Sequence, residues 1–339
     1  MGRRGVRKVM RKIKINRVCI HCIMWVFAGV LLMGCKRGEE PRKVGKLVAA
    51  DERFWEVVPK ESYVERIGIS FEFTEGPAWH PSGYLIFSDI PANKIYRWSG
   101  RKYHLVRDSS HHSNGLLVEP GGALLACEHG SRSVVRYTPE GSRQVLADSY
   151  LGRRLNSPND LCRSATGTIY FTDPPWGLPE LNEDPGKELP FNGVYMLKNG
   201  KLTLIDSTLS WPNGIALSPD ESALYVANVE ITGEPVSGAE AVDAFWVRYR
   251  LSEGGVPVSR EVFYRAEDTS LPGGPDGMTV DRAGNLFLTG PGGILVVSEE
   301  GTLLGTIEVP LVPSNLTFGP REKELYITAR TNLYRVVYN

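Results

Sequence analysis

The body of this 339-residue chain has no G-x-S-x-G elbow, no H-E-x-x-H helix and no phosphate-cradling glycine loop. A serine esterase and a zinc peptidase of the usual kinds are therefore not expected. Cysteine is scarce: of the five present, Cys19 and Cys22 fall inside an apolar N-terminal run, Cys35 follows it, and only Cys127 and Cys162 lie in the body. The CxxC pair belongs to the apolar run rather than to a redox or metal site. Cys127 and Cys162 are read as buried thiols, although an oxidising compartment would permit a bond between them. Helical periodicity is missing from every long segment of the body. Basic charge is also short there, because residues 1–34 hold eight Lys and Arg and no acid, leaving 31 basic against 39 acidic residues, a net charge of −8. So acidic a body is a poor nucleic-acid binder, since neutralising phosphates supplies most non-specific affinity.

What is plentiful is glycine (36) and proline (23), with 42% hydrophobic residues, the composition of a many-stranded protein rich in turns. The first residues read as an export signal: a basic stretch, then an apolar run from Val18 to Met33. The run ends in Leu32-Met33-Gly34-Cys35, which resembles a bacterial lipoprotein signal and implies lipid attachment at Cys35. Met33 is bulkier than the residue usual there, and the long basic region allows a start at Met10. An uncleaved signal anchor is the alternative, the run being near the lower limit for a membrane span. Either way the expectation is a tethered protein of the cell envelope, facing periplasm or exterior. Residues 1–34 are then the signal, 35–61 a charged linker without apolar period, and 62–339 one domain.

Within that domain a unit recurs. An oxygen-bearing residue opens a short apolar strand at Glu75-Gly76, Asn114-Gly115, Asn159-Asp160, Asn213-Gly214, Asp276-Gly277 and Asn315-Leu316, at spacings from 39 to 63 residues. Each opening strand leads to a turn and a second apolar strand, as in Trp79-His80-Pro81-Ser82-Gly83 before Tyr84-Leu85-Ile86-Phe87. Third strands follow in most units, among them Lys94–Trp98, Ser133–Tyr137, Gly193–Leu197, Gly293–Val297 and Asn332–Val336. Such repeats predict an all-β, six-bladed β-propeller. The last unit stops at its third strand, so the apolar segment Tyr63 to Phe73 is expected to close the ring by pairing with the final blade.

In a propeller the inner strands line a central channel, so the six oxygen residues would face one opening. At any single site a turn role suffices for Asn, Asp or Gly. Glu75 is not a preferred turn residue, however, and the six agree in register. Oxygen donors around a channel suit a hard divalent cation.

These stretches, with Phe73–Trp79, Leu155–Asp160, Tyr170–Pro174, Trp211–Gly214, Gly274–Met278 and Leu325–Arg330, resemble the senescence marker protein, gluconolactonase and luciferin-regenerating enzyme family over roughly Phe73 to Val336. The resemblance, closest to bacterial gluconolactonases, implies a six-bladed fold and a divalent cation, Ca2+ first with Zn2+, Mg2+ and Mn2+ as alternatives, held by Glu75, Asn159, Asn213 and Asp276. It also implies hydrolysis of a sugar lactone. Asp276 or His129 would activate water, neutral imidazole being suited to proton transfer near pH 7. Asn114, Asn159 and His129 are the candidate substrate contacts. His111 and His112 are read as loop residues, and Asp173 as a residue orienting the site or forming the turn before Pro174-Pro175. The insertions Leu178 to Phe191 and Glu230 to Phe245 are expected to be loops that shape the pocket or run in solvent. Two other readings stay open: a tethered, non-catalytic propeller that binds a protein or glycan, and a metal-dependent phosphotriesterase or other esterase. Oligomeric state is not legible.

Overall fold

Short apolar runs closed off by Gly, Pro and Asp turns are too brief for helices and pair with their neighbours instead. The computed structural model describes residues 42–232 and 240–338. It arranges the runs as six antiparallel blades whose inner strands are Thr74–His80, Ser113–Val118, Leu161–Arg163, Pro212–Leu217, Met278–Val280 and Asn315–Phe318. The chain is a six-bladed β-propeller. The expected signal, Cys19, Cys22 and the lipid-bearing Cys35 lie outside the described residues.

Second strands such as Leu124–Glu128, Ile169–Asp173 and Leu286–Gly290 are buried at every position. They show no alternation because each blade is covered on both faces by its neighbours. A hydrophobic cluster fills each junction. Leu125, Phe171 and Tyr195 join blades 2 and 3, Tyr170, Val226 and Val247 join blades 3 and 4, and Tyr225, Trp246 and Leu288 join blades 4 and 5. Cys127 and Cys162 are unbonded, the first buried and the second half-buried.

The ring closes as expected. Tyr63–Gly68 pairs antiparallel with Asn332–Val337, and Arg335 Nε donates to the buried Glu65 carboxylate at 2.7 Å. The linker expectation for 35–61 needs correction from residue 42 onward. Arg42–Val44 adds a fifth strand beside Tyr63–Gly68, and Lys46–Ala49 adds one beside Leu303–Glu308 in blade 5. Phe54, in the short helix Phe54–Val57, is fully buried against Gly305, where a side chain would collide with its ring. Here charge misleads: Arg42, Lys43 and Lys46 stay exposed while a few apolar residues between them dock. The insertion Glu230 to Phe245 is not a loop in its described part either. Strands Ala223–Thr232 and Glu240–Leu251 extend the hairpin of blade 4 through it.

At the hub each blade holds the next by a hydrogen bond. Ser88 Oγ donates to Asn114 O (2.8 Å), Gly115 N to Asn159 O (2.8 Å), Thr172 Oγ1 to Asn213 O (2.6 Å), Gly214 N to Asp276 O (3.1 Å), Gly277 N to Ser314 O (2.8 Å), and Ser314 Oγ to Thr74 O (2.7 Å). This circuit explains the glycine that follows Glu75, Asn114, Asn213 and Asp276. A Cβ at Gly214 would sit 2.1 Å from Asp276 O, so only glycine lets the inner strands approach closely enough to bond.

Candidate active site

Because the hub fixes the inner strands against one another, the residues that open them share one end of the channel. Glu75, Asn114, Asn159, Asn213 and Asp276 line a single cavity of about 390 Å³ together with His129. Bulges fall beside three of them, between Glu75 and Ala78, Ser113 and Leu116, and Pro212 and Ile215, the local device that turns a side chain out of the pleat. Asn315 does not line this cavity, although its side chain reaches the Glu75 carboxyl. Its Nδ2 donates to Asp160 Oδ2 at 3.2 Å, and both residues line a separate cavity at the opposite end of the inner strands. Ser314 takes its place.

The electrostatics of the cavity are those of crowded acids. Glu75 Oε2 accepts from Gly76 N at 2.7 Å, yet burial first, then Asp276 and Asp160, hold its carboxyl well above the usual range. Burial and then Asp160 push Asp276 up to about 7, against the opposing pull of Arg330. Asp160 itself rises to about 6 by burial. Carboxyls buried together resist ionising unless a cation compensates them. Among the described residues no group of three or more His, Cys, Asp or Glu is arranged to hold a metal, so an ion in this cavity would draw on amide oxygens as well. The residues fit such an ion: two carboxylates, the amides of Asn159 and Asn213, and the buried, unpartnered Oδ1 of Asn114. An all-oxygen set matches Ca2+ better than it matches Zn2+, which prefers nitrogen and sulfur.

His129 follows the buried strand Leu124–Glu128, and its Nε2 accepts from Asn114 Nδ2 at 3.3 Å. Burial, then the neighbouring His112, lowers it to about 4, so the ring is neutral at pH 7 and a weak base there. Residues 73–331 match the SMP-30/Gluconolactonase/LRE-like region. The chain belongs to this family. It is similar to a gluconolactonase of Zymomonas mobilis, 39% identical over 319 residues that cover 86% of each chain. A pentonolactonase of Haloferax volcanii is 28% identical over 272 residues, covering 77% of this chain and 83% of that protein. In three dimensions the chain is similar to a gluconolactonase from Xanthomonas campestris, with a TM-score of 0.77, 30% identity, and coverage of 90% of this chain and 100% of that one.

The SMP-30/gluconolactonase/LRE-like region thus opens at Phe73 and closes one residue past Arg330, two cavity residues that sequence reasoning did not single out. A third is Trp176, packed at a tilt against Trp211 with ring centroids 4.4 Å apart. Arg330 carries a signal that was available, since it follows the second strand of blade 6 as His129 follows that of blade 2. Trp176 had none, for it sits on a loop. Asp173 lies behind the cavity wall, where its Oδ2 accepts from Asn156 N at 2.8 Å and so fixes the segment running to Asn159. The insertion 178–191 is tied down by Arg132, whose Nη1 donates to Gly186 O at 2.7 Å. His111 and His112 stay outside the cavity, the second bonded through Nδ1 to Ile90 O at 2.9 Å.

Proposed function

We propose that this protein hydrolyses sugar lactones with the help of a divalent cation, Ca2+ first, held by Glu75, Asn159, Asn213 and Asp276. The observation that carries the reading is the convergence of two carboxyls, the buried Glu75 and the half-buried Asp276, and three buried amides on one cavity, in a chain similar to gluconolactonases and a pentonolactonase. The bound cation would supply Lewis-acid polarisation of the lactone carbonyl and charge for the oxyanion. Asn114 and His129 then bind and orient the ring hydroxyls. With a cation present the Asp276 carboxylate is ionised at neutral pH and takes a proton from the attacking water as its oxygen bonds to the carbonyl carbon. Collapse of the tetrahedral intermediate breaks the ring C–O bond, and the same proton passes to the departing oxygen, leaving a hydroxy acid. His129, lowered to about 4, is less suited to that role than to holding Asn114.

Lactone opening by the wild type with and without chelator, beside Glu75→Gln and Asp276→Asn, tests this. Chelation and each substitution should lower kcat/KM about a hundredfold or more. Activity indifferent to all three would remove the metallohydrolase reading. Intact ion binding with no turnover of lactones would favour the non-catalytic propeller, and turnover of phosphotriesters alone would favour the other esterase. We propose further that Cys35 carries lipid and tethers the protein to the envelope.

A further inference from the structure

Among the described residues that line the cavity, Arg330 alone carries a positive charge, His129 being neutral. No ion pair within 4 Å engages it among the described residues. Its guanidinium lies over the ring of Phe73, 5.2 Å from the centroid, and Phe73 is itself a cavity residue. The planar group is thus held at the mouth by a face that offers no competing charge. Its backbone is held as well. Arg330 has φ +50°, a conformation uncommon for a residue with a side chain. Thr74 fixes it, donating to Arg330 O from both N (2.7 Å) and Oγ1 (3.0 Å). Strain of this kind persists only where surrounding contacts over-determine it. Here they place a cation that has no ion pair within 4 Å among the described residues, though its charge reaches Asp276, beside the Thr74 that precedes Glu75.

Lactone opening changes the charge of what occupies the cavity. The ester enters neutral, the tetrahedral intermediate is an anion, and the product is a carboxylate. A group that meets the neutral ester weakly and the anions strongly contributes to turnover rather than to substrate capture. We propose that Arg330 is the anion-binding residue of this cavity, engaging the oxyanionic intermediate and the carboxylate of the ring-opened acid while contributing little to the neutral lactone. The proposal rests on the lactone-hydrolase reading for its substrate, but its binding arm does not.

Calorimetry with gluconate, and with sorbitol as its uncharged counterpart, on the Ca2+-supplied wild type, Arg330→Gln, Arg330→Lys and the remote exposed control Arg101→Gln decides it. Arg330→Gln should weaken gluconate about tenfold or more and leave sorbitol within about twofold. Arg330→Lys should recover part of the loss, because it returns the charge without the planar fork, and Arg101→Gln should match wild type. In steady-state kinetics Arg330→Gln should lower kcat with little change in KM and raise the inhibition constant of gluconate. Equal loss of gluconate and sorbitol, no loss of either, or no gluconate binding by the wild type would each overturn the proposal. If the wild type opens no lactone, the enzymatic reading fails, while selective loss of gluconate in Arg330→Gln still upholds an anion site.

Discussion

Asp173 is buried, and burial, the largest influence on it, pushes its carboxyl from 3.8 up to about 7 despite hydrogen bonds to the Asn156 and Ser157 backbone that favour the charged form. A folded value above the unfolded one means that the protonated group stabilises the fold. That contribution is complete below about pH 4 and disappears as pH rises toward and through 7. Asp173→Asn keeps an oxygen to accept from Asn156 N and removes the titration. The variant should gain about 2 kcal/mol on wild type between pH 5 and pH 8. Urea midpoints at the two pH values check this, and an unchanging difference between the proteins would rule it out. The acid is no participant in lactone chemistry on this view, and serves to fix the approach to Asn159.

Among the elements, the inner strands were legible because each opens on an oxygen-bearing residue, followed by glycine in four of the six, and each must obey the same hub geometry. Tyr63–Gly68 was legible as the missing edge of an incomplete blade. The strands Arg42–Val44 and Lys46–Ala49 were not, since runs of three and four residues reveal nothing of their partners, which for the first lie about twenty positions on and for the second more than two hundred. Local composition reports solvation, whereas pairing of this kind is set by an edge that exists only once the ring has formed. Phe54 distinguishes a docked segment from a linker. Phe54→Ala should cost about 3 to 5 kcal/mol, read from the shift of the urea midpoint, where a linker residue would cost nearly nothing. At the site, Glu75, Asn114, Asn159, Asn213 and Asp276 were readable from register, and His129 as the residue that follows a second strand. Trp176 and Arg330 were not singled out, because a loop and a left-handed turn bring them in. Asn315 obeyed the register yet stays out of the cavity lining, its side chain engaging Asp160 and Glu75 instead.

Across the whole molecule, six apolar junctions and a hub circuit make one cooperative body of what sequence presents as six similar units. The tether proposed at Cys35 adds a mass that proteomics of the membrane fraction can read. A mature chain beginning at a lipid-modified Cys35 is expected, and an unmodified chain intact from residue 1 would exclude it. The closing strand has a further consequence in time. Glu65 and the Arg335 it holds are 270 residues apart, so at roughly 5 to 20 residues per second of synthesis the strand Tyr63–Gly68 waits on the order of tens of seconds for its partner. Until the strand Asn332–Val337 emerges the wheel stays open, with a raw edge that a chaperone can hold.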